Sequence, residues 1–399
     1  MNEFLDIAKV LGHDVESLGA GEPVVQDRTV GDIGDLKAIL TAGVPGGMRQ
    51  APEKSLAGGT SIVDKAHGFV FGDVPLSPAD QAQVALAFPM TVTTLSLPDK
   101  TLAANEVWDL GTSSSPVVVN LGKLTMEPGS SIRIANTVLS LSVQTLIRNS
   151  APGAKSSANY DLGIFGVTGA TPPAPAQGIA GASGQPGAGG TCGSGGGIAG
   201  DDGQPGGSGG AGGRGAAGAA GGDGLAALTA TVTIGSGGIG GTAGQFVVYT
   251  RSGDGGQGGP GAKGGNGGRG GSGGTGATCG CEYTNGAAGG NGSDGAPGGD
   301  GGIGGNAVKG NDIFVSVPTG QKGKVVTFSS IANPGQGGPG GPGGDPGAGG
   351  WGGGGGGATG CPTGRGGSSG DGGAAGASGN PGKPGALTGA PGTVYVTEV

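Results

Sequence analysis

Four cysteines are the residues of this chain best suited to covalent or metal chemistry. They stand where the glycine-rich stretches lose their regular spacing, and if the stretches fold back there, all four thiols gather at one end of the molecule. Four cysteines allow three pairings. Cys279 and Cys281 are too close for an easy mutual bridge, so the sequence favours one joining Cys192 and the other joining Cys361. A zinc site of four thiolates and a set of free thiols are the alternatives.

The residues beside these cysteines are the most varied of the glycine-rich part. An aromatic ring with polar neighbours on an exposed loop is a typical binding surface, so we expect these residues to contact a glycan or a protein. The alternative is that Tyr283 and Trp351 only close the ends of the packed segments. The candidate contact residues are Glu282, Tyr283, Thr284, Asn285, Trp351, Thr363 and Arg365.

No arrangement typical of an enzyme stands out in the sequence. The two histidines, His13 and His67, have no nucleophile motif near them. The glycine-rich stretches lack the strand, helix and Lys-Ser/Thr context of phosphate-binding loops. Asp294 and Asp300 stand in no nine-residue calcium-binding repeat and are predicted to face solvent. We therefore predict a protein that is not an enzyme and that uses no cofactor and no metal.

Glycine is the commonest residue, with 107 copies beside 26 prolines in 399 residues. Such a proportion is typical of collagen or of unstructured low-complexity chain. From Gly255 to Thr278 the sequence GGQGGPGAKGGNGGRGGSGGTGAT keeps glycine at every third position, which a flexible linker has no reason to do. The spacing therefore predicts an ordered element. Collagen is disfavoured, because these stretches often carry glycine or alanine where collagen carries proline.

A period of three residues matches the polyproline II class of helix, which makes no internal hydrogen bonds. Such helices can pair their N–H and C=O groups only by packing side by side, with glycine at the contacts. The phase of the glycines breaks once in each of three blocks, which predicts three hairpins. The third residue of each triplet then faces solvent, as in the largely polar row of Gln257, Pro260, Lys263, Asn266, Arg269, Ser272, Thr275 and Thr278.

This triplet pattern resembles that of the polyglycine II helix-bundle proteins, which include glycine-rich phage tail-fibre adhesins and snow-flea-type antifreeze proteins. The resemblance covers about residues 178–393 and implies a bundle of about six polyproline-II-type helices. In the adhesins, an N-terminal attachment region precedes glycine-rich helices whose tip loops bind the host. In the antifreeze proteins the corresponding function is ice binding, for which the candidate small residues here are Ala216, Ala217, Ala219 and Ala220.

The rest of the chain divides into two further regions. Residues 1–88 indicate short helices and loops, with a capping box at Ser77-Pro78-Ala79-Asp80, and are predicted to dock on a neighbour or a partner. Residues 89–177 carry short β-patterned runs, which predict a β-solenoid or β-sandwich body. The glycine-rich region, residues 178–399, includes predicted strand pairs at 225–250 and 312–330 and a last strand at 393–399.

The fold class predicted is therefore mainly β plus polyglycine II, with short helices at the N-terminal end. The β body needs an apolar core, because alternating or continuous apolar residues mark the buried side of a strand. The predicted core residues are Val117, Val118, Val119, Leu124, Met126, Ile132, Ile134, Leu139, Leu141, Val143 and Leu146.

Charge and hydropathy limit the partners. A net charge of -8 with 4% aromatic residues argues against a nucleic-acid partner. The first residues carry acids where a secretory signal needs Lys or Arg, and no segment approaches the roughly 20 apolar residues of a membrane span. We expect a location outside the cell or on a virion, reached without a conventional signal peptide.

Together these features predict a non-enzymatic, surface-exposed structural or adhesive protein of a phage tail or an extracellular appendage. Its partners would be a cell-surface receptor or glycan, or neighbouring subunits of the appendage, and a homo-oligomer or fibre is an open alternative. Ice binding and a self-assembling extracellular filament are the other functions that the sequence leaves open.

Overall fold

Two β-sheets that share one apolar core organise the chain, and helices cover the outer face of one of them. The computed structural model describes residues 3–44, 62–72, 74–111, 115–149, 160–193 and 200–399. The predicted regions 1–88 and 89–177 thus include residues 45–61 and 150–159, which lie outside the described part.

Short amphipathic helices fill the N-terminal region, as the sequence predicts. Ser77 caps the last of them, accepting a hydrogen bond from the Asp80 N–H at 3.2 Å, and Pro78 occupies its first turn. Apolar side chains of three helices pack against Val92 and Val118 of the sheet below. The helices are α1 (Glu3–Val10), α2 (Val15–Gly19), α3 (Ile33–Leu40), α4 (Ile62–Gly72) and α5 (Pro78–Ala85).

The strands belong to a seven-stranded sheet, a five-stranded sheet and one short hairpin. The seven-stranded sheet runs, in spatial order, β1 (Val24–Val30), β2 (Met90–Leu102), β4 (Val117–Met126), β6 (Leu139–Arg148), β8 (Ala230–Gly240), β12 (Ile313–Val317) and β14 (Val394–Glu398). The five-stranded sheet runs β13 (Val325–Ser329), β9 (Phe246–Arg251), β7 (Leu162–Phe165), β5 (Ser131–Ala135) and β3 (Val107–Asp109). The hairpin consists of β10 (Thr278–Cys279) and β11 (Glu282–Tyr283).

Both sheets are parallel except at β1, which pairs antiparallel with β2. From β2 onward, successive strands alternate between the two sheets, apart from the short hairpin. Their inward side chains form the common core, in which Leu121, Ile132 and Phe246 are fully buried. All predicted core residues are buried, which confirms that part of the sequence analysis.

The predicted fold class is wrong. The described residues form an α/β-type fold with a seven-stranded mixed sheet, a five-stranded parallel sheet and five helices, not a mainly β body with a polyglycine II bundle. The error has a physical cause. A glycine period reports only the local spacing of one segment, whereas a fold is decided by the segments that bury side chains against each other. Here those segments are the helices and strands.

The strands predicted at 225–250 and 312–330 are present, but their two members do not pair with each other. β8 and β12 lie in the seven-stranded sheet, while β9 and β13 lie in the five-stranded sheet. β1 is a further difference, since the sequence indicated only helices and loops in that region. Its residues VVQDRTV alternate weakly, and pairing with β2 supplies the order that the local pattern does not show.

Glycine-rich connections join the five-stranded sheet to the seven-stranded sheet three times. They lead from β7 to β8, from β9 to β12 and from β13 to β14, and each goes out and returns. We number the six described segments in chain order as the first to sixth run: residues 166–190, 200–227, 252–277, 284–310, 333–357 and 364–392. Because β7, β9 and β13 are neighbours, as are β8, β12 and β14, the three connections start and end side by side.

Main-chain hydrogen bonds link these runs to one another along their length. The outgoing first, third and fifth runs are neighbours, as Gly178 N donating to Lys263 O and Gly258 N donating to Gln336 O show, both at 2.9 Å. The returning runs are bonded in the same way, for example from Gly218 N to Asp300 O at 2.8 Å. Further bonds connect outgoing with returning runs, so the backbone polar groups between the runs are paired.

Close backbone approach explains why glycine recurs at the contact positions. A Cβ placed on Gly268 would lie 2.0 Å from the carbonyl oxygen of Ala182 and 2.8 Å from the amide nitrogen of Gly210. Distances of this kind are far below van der Waals contact, and the obstacles are backbone atoms that cannot rotate away. Only glycine therefore fits at this position, because the neighbouring backbones leave no space for a Cβ atom.

A buried ion pair ties the two sheets together at the ends of β6 and β7. Arg148 Nε donates to Asp161 Oδ1 at 2.6 Å, and the two side chains are 7% and 5% exposed. Asp161 Oδ2 also accepts the Val247 N–H at 2.8 Å. Burial raises the pKa of Asp161, while the Val247 N–H and Arg148 act in the opposite direction.

A buried hydrogen-bonded histidine fixes the chain after α1 on the seven-stranded sheet. Its ring nitrogens lie 2.7 Å from Ser96 Oγ and 2.9 Å from Thr94 Oγ1. Burial lowers the pKa of His13, and the nearby Arg28 lowers it further. A neutral ring satisfies both hydroxyls, because Thr94 can accept from one nitrogen while Ser96 donates to the other. His13 thus has a packing role.

Replacing Arg148 should test the importance of the ion pair. Arg148→Met is expected to lower the free energy of unfolding by about 3–5 kcal/mol at pH 7, because a buried carboxylate loses its counter-charge. Burial raises the pKa of this carboxyl, so the folded protein takes up the proton before the unfolded chain does. The loss should therefore shrink as the pH falls from 7 toward about 4 and be small below that, where aspartate is protonated in both states. Urea unfolding at pH 7 and pH 3.5 measures both effects.

The control is the double variant Arg148→Met/Asp161→Asn, which removes both charges but leaves an amide oxygen to accept the Val247 N–H. It should recover most of the loss. An equal loss in the single and double variants would show that Arg148 acts through packing or through its hydrogen bonds to main-chain carbonyls, such as that of Met126, rather than through its pairing with Asp161.

A second test concerns the glycine contacts. Gly268→Ala should lower the free energy of unfolding by about 1–3 kcal/mol, since the added methyl group forces two backbones apart. Ser272→Ala is the matched control, because this exposed side chain lies on the same run and points away from its neighbours. Thermal unfolding of both variants gives the comparison, and equal stability would contradict the contact geometry.

Candidate functional site

The three turns between outgoing and returning runs lie together at the end of the runs that is far from the sheets. We call the described residues 191–193, 278–283 and 358–363 the distal loops. Residues 194–199 lie outside the described part. The distal loops contain all four cysteines and several of the residues that the sequence singled out.

The central distal loop is a β-hairpin with a two-residue turn. Thr278 pairs with Tyr283 and Cys279 with Glu282, which leaves Gly280 and Cys281 at the turn. Gly280 has a φ of 67°, the left-handed region that the first central residue of a type II′ turn requires. The sequence Cys-Gly-Cys therefore places its two thiols on opposite sides of a tight turn.

Two disulfides connect the central hairpin with the loops on either side. Cys279 bonds to Cys192 with a Cα–Cα distance of 5.6 Å, and Cys281 bonds to Cys361 with a Cα–Cα distance of 5.2 Å. The bridged residues are 87 and 80 positions apart in sequence. The prediction that the cysteines form disulfides is confirmed, and the two cysteines of the hairpin bond to different loops. None of these sulfurs is a free thiolate for a metal.

Two of the predicted contact residues serve as ties between runs. Thr284 is only 6% exposed, and its Oγ1 accepts the Ala277 N–H at 2.5 Å while its carbonyl accepts the Gly356 N–H at 2.9 Å. Asn285 Oδ1 accepts the Arg365 N–H at 3.0 Å. Both residues therefore hold the base of the central hairpin in place. Thr284 offers little surface to a ligand, whereas Asn285 is exposed.

The other predicted contact residues are also exposed, and they lie in different places. Tyr283 is 48% exposed on the central hairpin, next to the exposed Glu282. Trp351 is 70% exposed, yet its carbonyl accepts the Gly273 N–H, so it lies beside the third run some residues before the hairpin. Thr363 is exposed at the end of the third distal loop, and Arg365 is exposed at the start of the returning sixth run. The surface thus contains one aromatic ring at the end and another along the side.

Aspartate and asparagine side chains along the fourth run form a ladder that the sequence analysis missed. Each Oδ1 accepts a backbone N–H of the sixth run, as in Asn291 to Asp371 at 2.9 Å and Asp300 to Asn380 at 2.7 Å, each 80 residues apart. These N–H groups face outward and have no carbonyl partner. The signal was present as Asp and Asn recurring in one phase of the triplets, but it needs the neighbouring run to be interpreted.

The remaining chemistry-bearing residues have structural partners. His67 is 8% exposed and lies 3.1 Å from Thr229 Oγ1 through its Nδ1. Over the described ranges there is no group of three or more His, Cys, Asp or Glu side chains placed to hold a metal ion. In the same ranges, none of the helices has the length and apolar character needed to cross a membrane.

Comparison of the chain with protein-family models, with characterised proteins and with solved structures finds no match.

Removing one bridge should test how strongly the disulfides hold the distal loops. The paired substitution Cys281→Ser/Cys361→Ser opens a link across 80 residues, and loop-closure entropy predicts a loss of up to about 4–5 kcal/mol in unfolding free energy. Guanidinium unfolding measures this loss. The matched comparison is Cys192→Ser/Cys279→Ser, whose separation of 87 residues predicts a similar loss. Unchanged stability in both paired variants would refute this stabilising role.

Proposed function

We propose that this chain is a non-enzymatic, surface-exposed adhesive protein whose distal loops recognise a receptor or a glycan. The observation that carries the proposal is the cross-linking of three exposed loops at the end of the glycine-rich runs by two disulfides. These loops lie far from the apolar core, and the core does not require bridges at that distance. Cross-linked loops of varied composition are what a preorganised binding surface needs.

The support beneath the loops favours the same interpretation. Hydrogen bonds between neighbouring runs recur every three residues, so the distal loops are fixed on an extended framework rather than tethered by flexible chain. Side chains on a rigid framework lose less conformational entropy when they bind a partner. The framework would also carry the loops away from the sheets, toward a surface that the protein has to reach.

The exposed residues of the central hairpin suit recognition of a polar surface. Tyr283 offers a half-exposed ring with a hydroxyl group, and Glu282 beside it offers a carboxylate. Tyrosine is favoured in binding surfaces because it provides a large contact area at a low entropic cost. We place Tyr283 at the centre of the proposed contact.

Location outside the cell, as part of an extracellular appendage or a phage tail, belongs to the same proposal. Disulfides persist in oxidising surroundings and are rare in reducing ones. The two bridges of the distal loops support an oxidising location for the folded protein.

The charges along the outgoing runs argue against ice binding as the main function. Lys263 Nζ donates to Asp345 Oδ2 at 2.7 Å across the third and fifth runs, and Arg269 is exposed on the same row. Ion pairs of this kind are strongly hydrated and interrupt the flat, uncharged surface that contact with ice requires.

The function can be tested with labelled protein on bacterial cells and on glycan arrays. Tyr283→Ala should weaken binding by about 30-fold, the effect of losing a central aromatic contact of about 2 kcal/mol. Trp351→Ala, along the side of the runs, should have a smaller effect, and Ser272→Ala is the matched control.

Two results would contradict the proposal. One is cell or glycan binding that is equally strong in the Tyr283→Ala and Ser272→Ala variants. The other is a lack of binding by the unmodified protein together with thermal hysteresis in its solutions, which would indicate ice binding instead.

A further inference from the structure

Both sheets end in an open edge at the same side of the fold. β14 is the last strand of the seven-stranded sheet and β13 the last of the five-stranded sheet, and the two contact each other. In the described part of the chain, no strand pairs with the outer side of either one. The common core is therefore open between two edge strands.

The backbone of β14 presents a regular row of unpaired groups at this edge. Thr393 O accepts the Ile313 N–H at 2.9 Å, and Val399 N donates to Val317 O at 3.0 Å. Because alternate residues of a strand direct their N–H and C=O groups to opposite sides, those of Val394, Val396 and Glu398 point away from β12. Unpaired edges of this kind are templates for another strand.

Apolar side chains at core positions are incompletely covered beside this row. A groove with a volume of about 430 Å³ runs between the two edge strands. Val325, Val394 and Val396 pack against the core but are only partly buried. The groove is lined by Lys322, Val325, Thr327, Val394, Tyr395, Val396 and Thr397.

The edge strands at the opposite side of the fold, β1 and β3, have charged residues in them or beside them, in contrast to the open edge at β14. The edge strand β1 carries Asp27 and Arg28. On the edge strand β3, the ring of Trp108 has Lys100 Nζ 5.4 Å from its centre. β14 contains no lysine, proline or bulge, and its single charge, Glu398, lies at the end of the strand, where its carboxylate accepts from the Gly320 and Lys322 N–H groups.

We propose that β14 is a dimerisation strand that pairs antiparallel with β14 of a second copy of this chain, about a two-fold axis at Val396. In this register Val396 faces its own counterpart, and Val394 faces Glu398 of the other copy. All three outward-directed residues of each strand then find partners, which gives six main-chain hydrogen bonds by the antiparallel pattern. Shifting the register by two residues leaves some of these groups unpaired.

Self-complementarity favours a second copy over another extended peptide. The centre of the pairing brings apolar valines together, as isologous interfaces require. No like charges face each other, and the Glu398 carboxylate is already held by the N–H groups of Gly320 at 3.1 Å and Lys322 at 2.9 Å. The two copies would also close their grooves against each other, which covers the exposed ends of both cores.

A disulfide scan gives the sharpest test, because all native cysteines are bridged. Val396→Cys should form a covalent dimer under mild oxidation, since directly opposite residues of a hydrogen-bonded pair have Cα atoms about 5.5 Å apart. Val394→Cys is the control, because the two copies of this position would be about 14 Å apart at the strand rise of about 3.4 Å per residue. Non-reducing gel electrophoresis reads out both. Cross-linking that is equal in the two variants, or absent from both, would overturn the proposed register.

A second variant tests the dimer itself. The N–H of Val396 points away from β12, so Val396→Pro should leave the fold intact while it removes a central intermolecular bond. Size-exclusion chromatography with light scattering should find a dimer for the unmodified chain at about 100 µM and at least a tenfold weaker association for Val396→Pro. A monomer at that concentration for the unmodified chain would overturn the proposal. Since association is measured without a receptor, the outcome is independent of the proposed adhesion.

Discussion

Parallel strand pairing between neighbouring sheet strands is the constraint on which the rest of the structure depends. Phe165 at the end of β7 is in register with Arg251 at the end of β9, and the runs that follow keep this register. Gly166 N donates to Arg251 O, Gly178 N to Lys263 O and Gly190 N to Thr275 O, always with the same offset along the chain. The sheets thus align segments whose few buried apolar side chains are alanines, and the cysteines beyond them meet because that offset is preserved.

Such a framework depends on two features of its composition. Glycine allows backbones to approach at distances that any Cβ would prevent, as at Gly268. Aspartate and asparagine then satisfy outward N–H groups that no neighbouring carbonyl reaches, as Asp300 does for Asn380. The first feature costs conformational entropy, since glycine has the most freedom to lose on folding. Sheet register, side-chain ladders and disulfides together offset that cost in a part of the molecule with almost no core.

Sequence reasoning succeeded where a local pattern has a local cause. The capping box at Ser77, the buried positions of β4 and β6, and the formation of disulfides follow from spacing and residue type. It was wrong on fold class, because membership of a sheet depends on distant partners: β8 and β9 are adjacent in sequence but lie in different sheets. In the candidate site it found the exposed Tyr283, but it grouped with it Thr284, whose burial depends on the neighbouring Ala277 and Gly356.

The same constraint that orders the glycine-rich runs also explains why the fold has an open edge. Each connection out and back leads from a strand of the five-stranded sheet to a new strand of the seven-stranded sheet, always on the same side of the fold, so β13 and β14 are the outermost strands of the described residues on that side. Edge strands of such a stack need a cap, a charged edge or a partner. The N-terminal side has its helices and charged strand. The C-terminal side has the outward row of Val394, Val396 and Glu398, and the same strand in a second copy matches that row in spacing and direction.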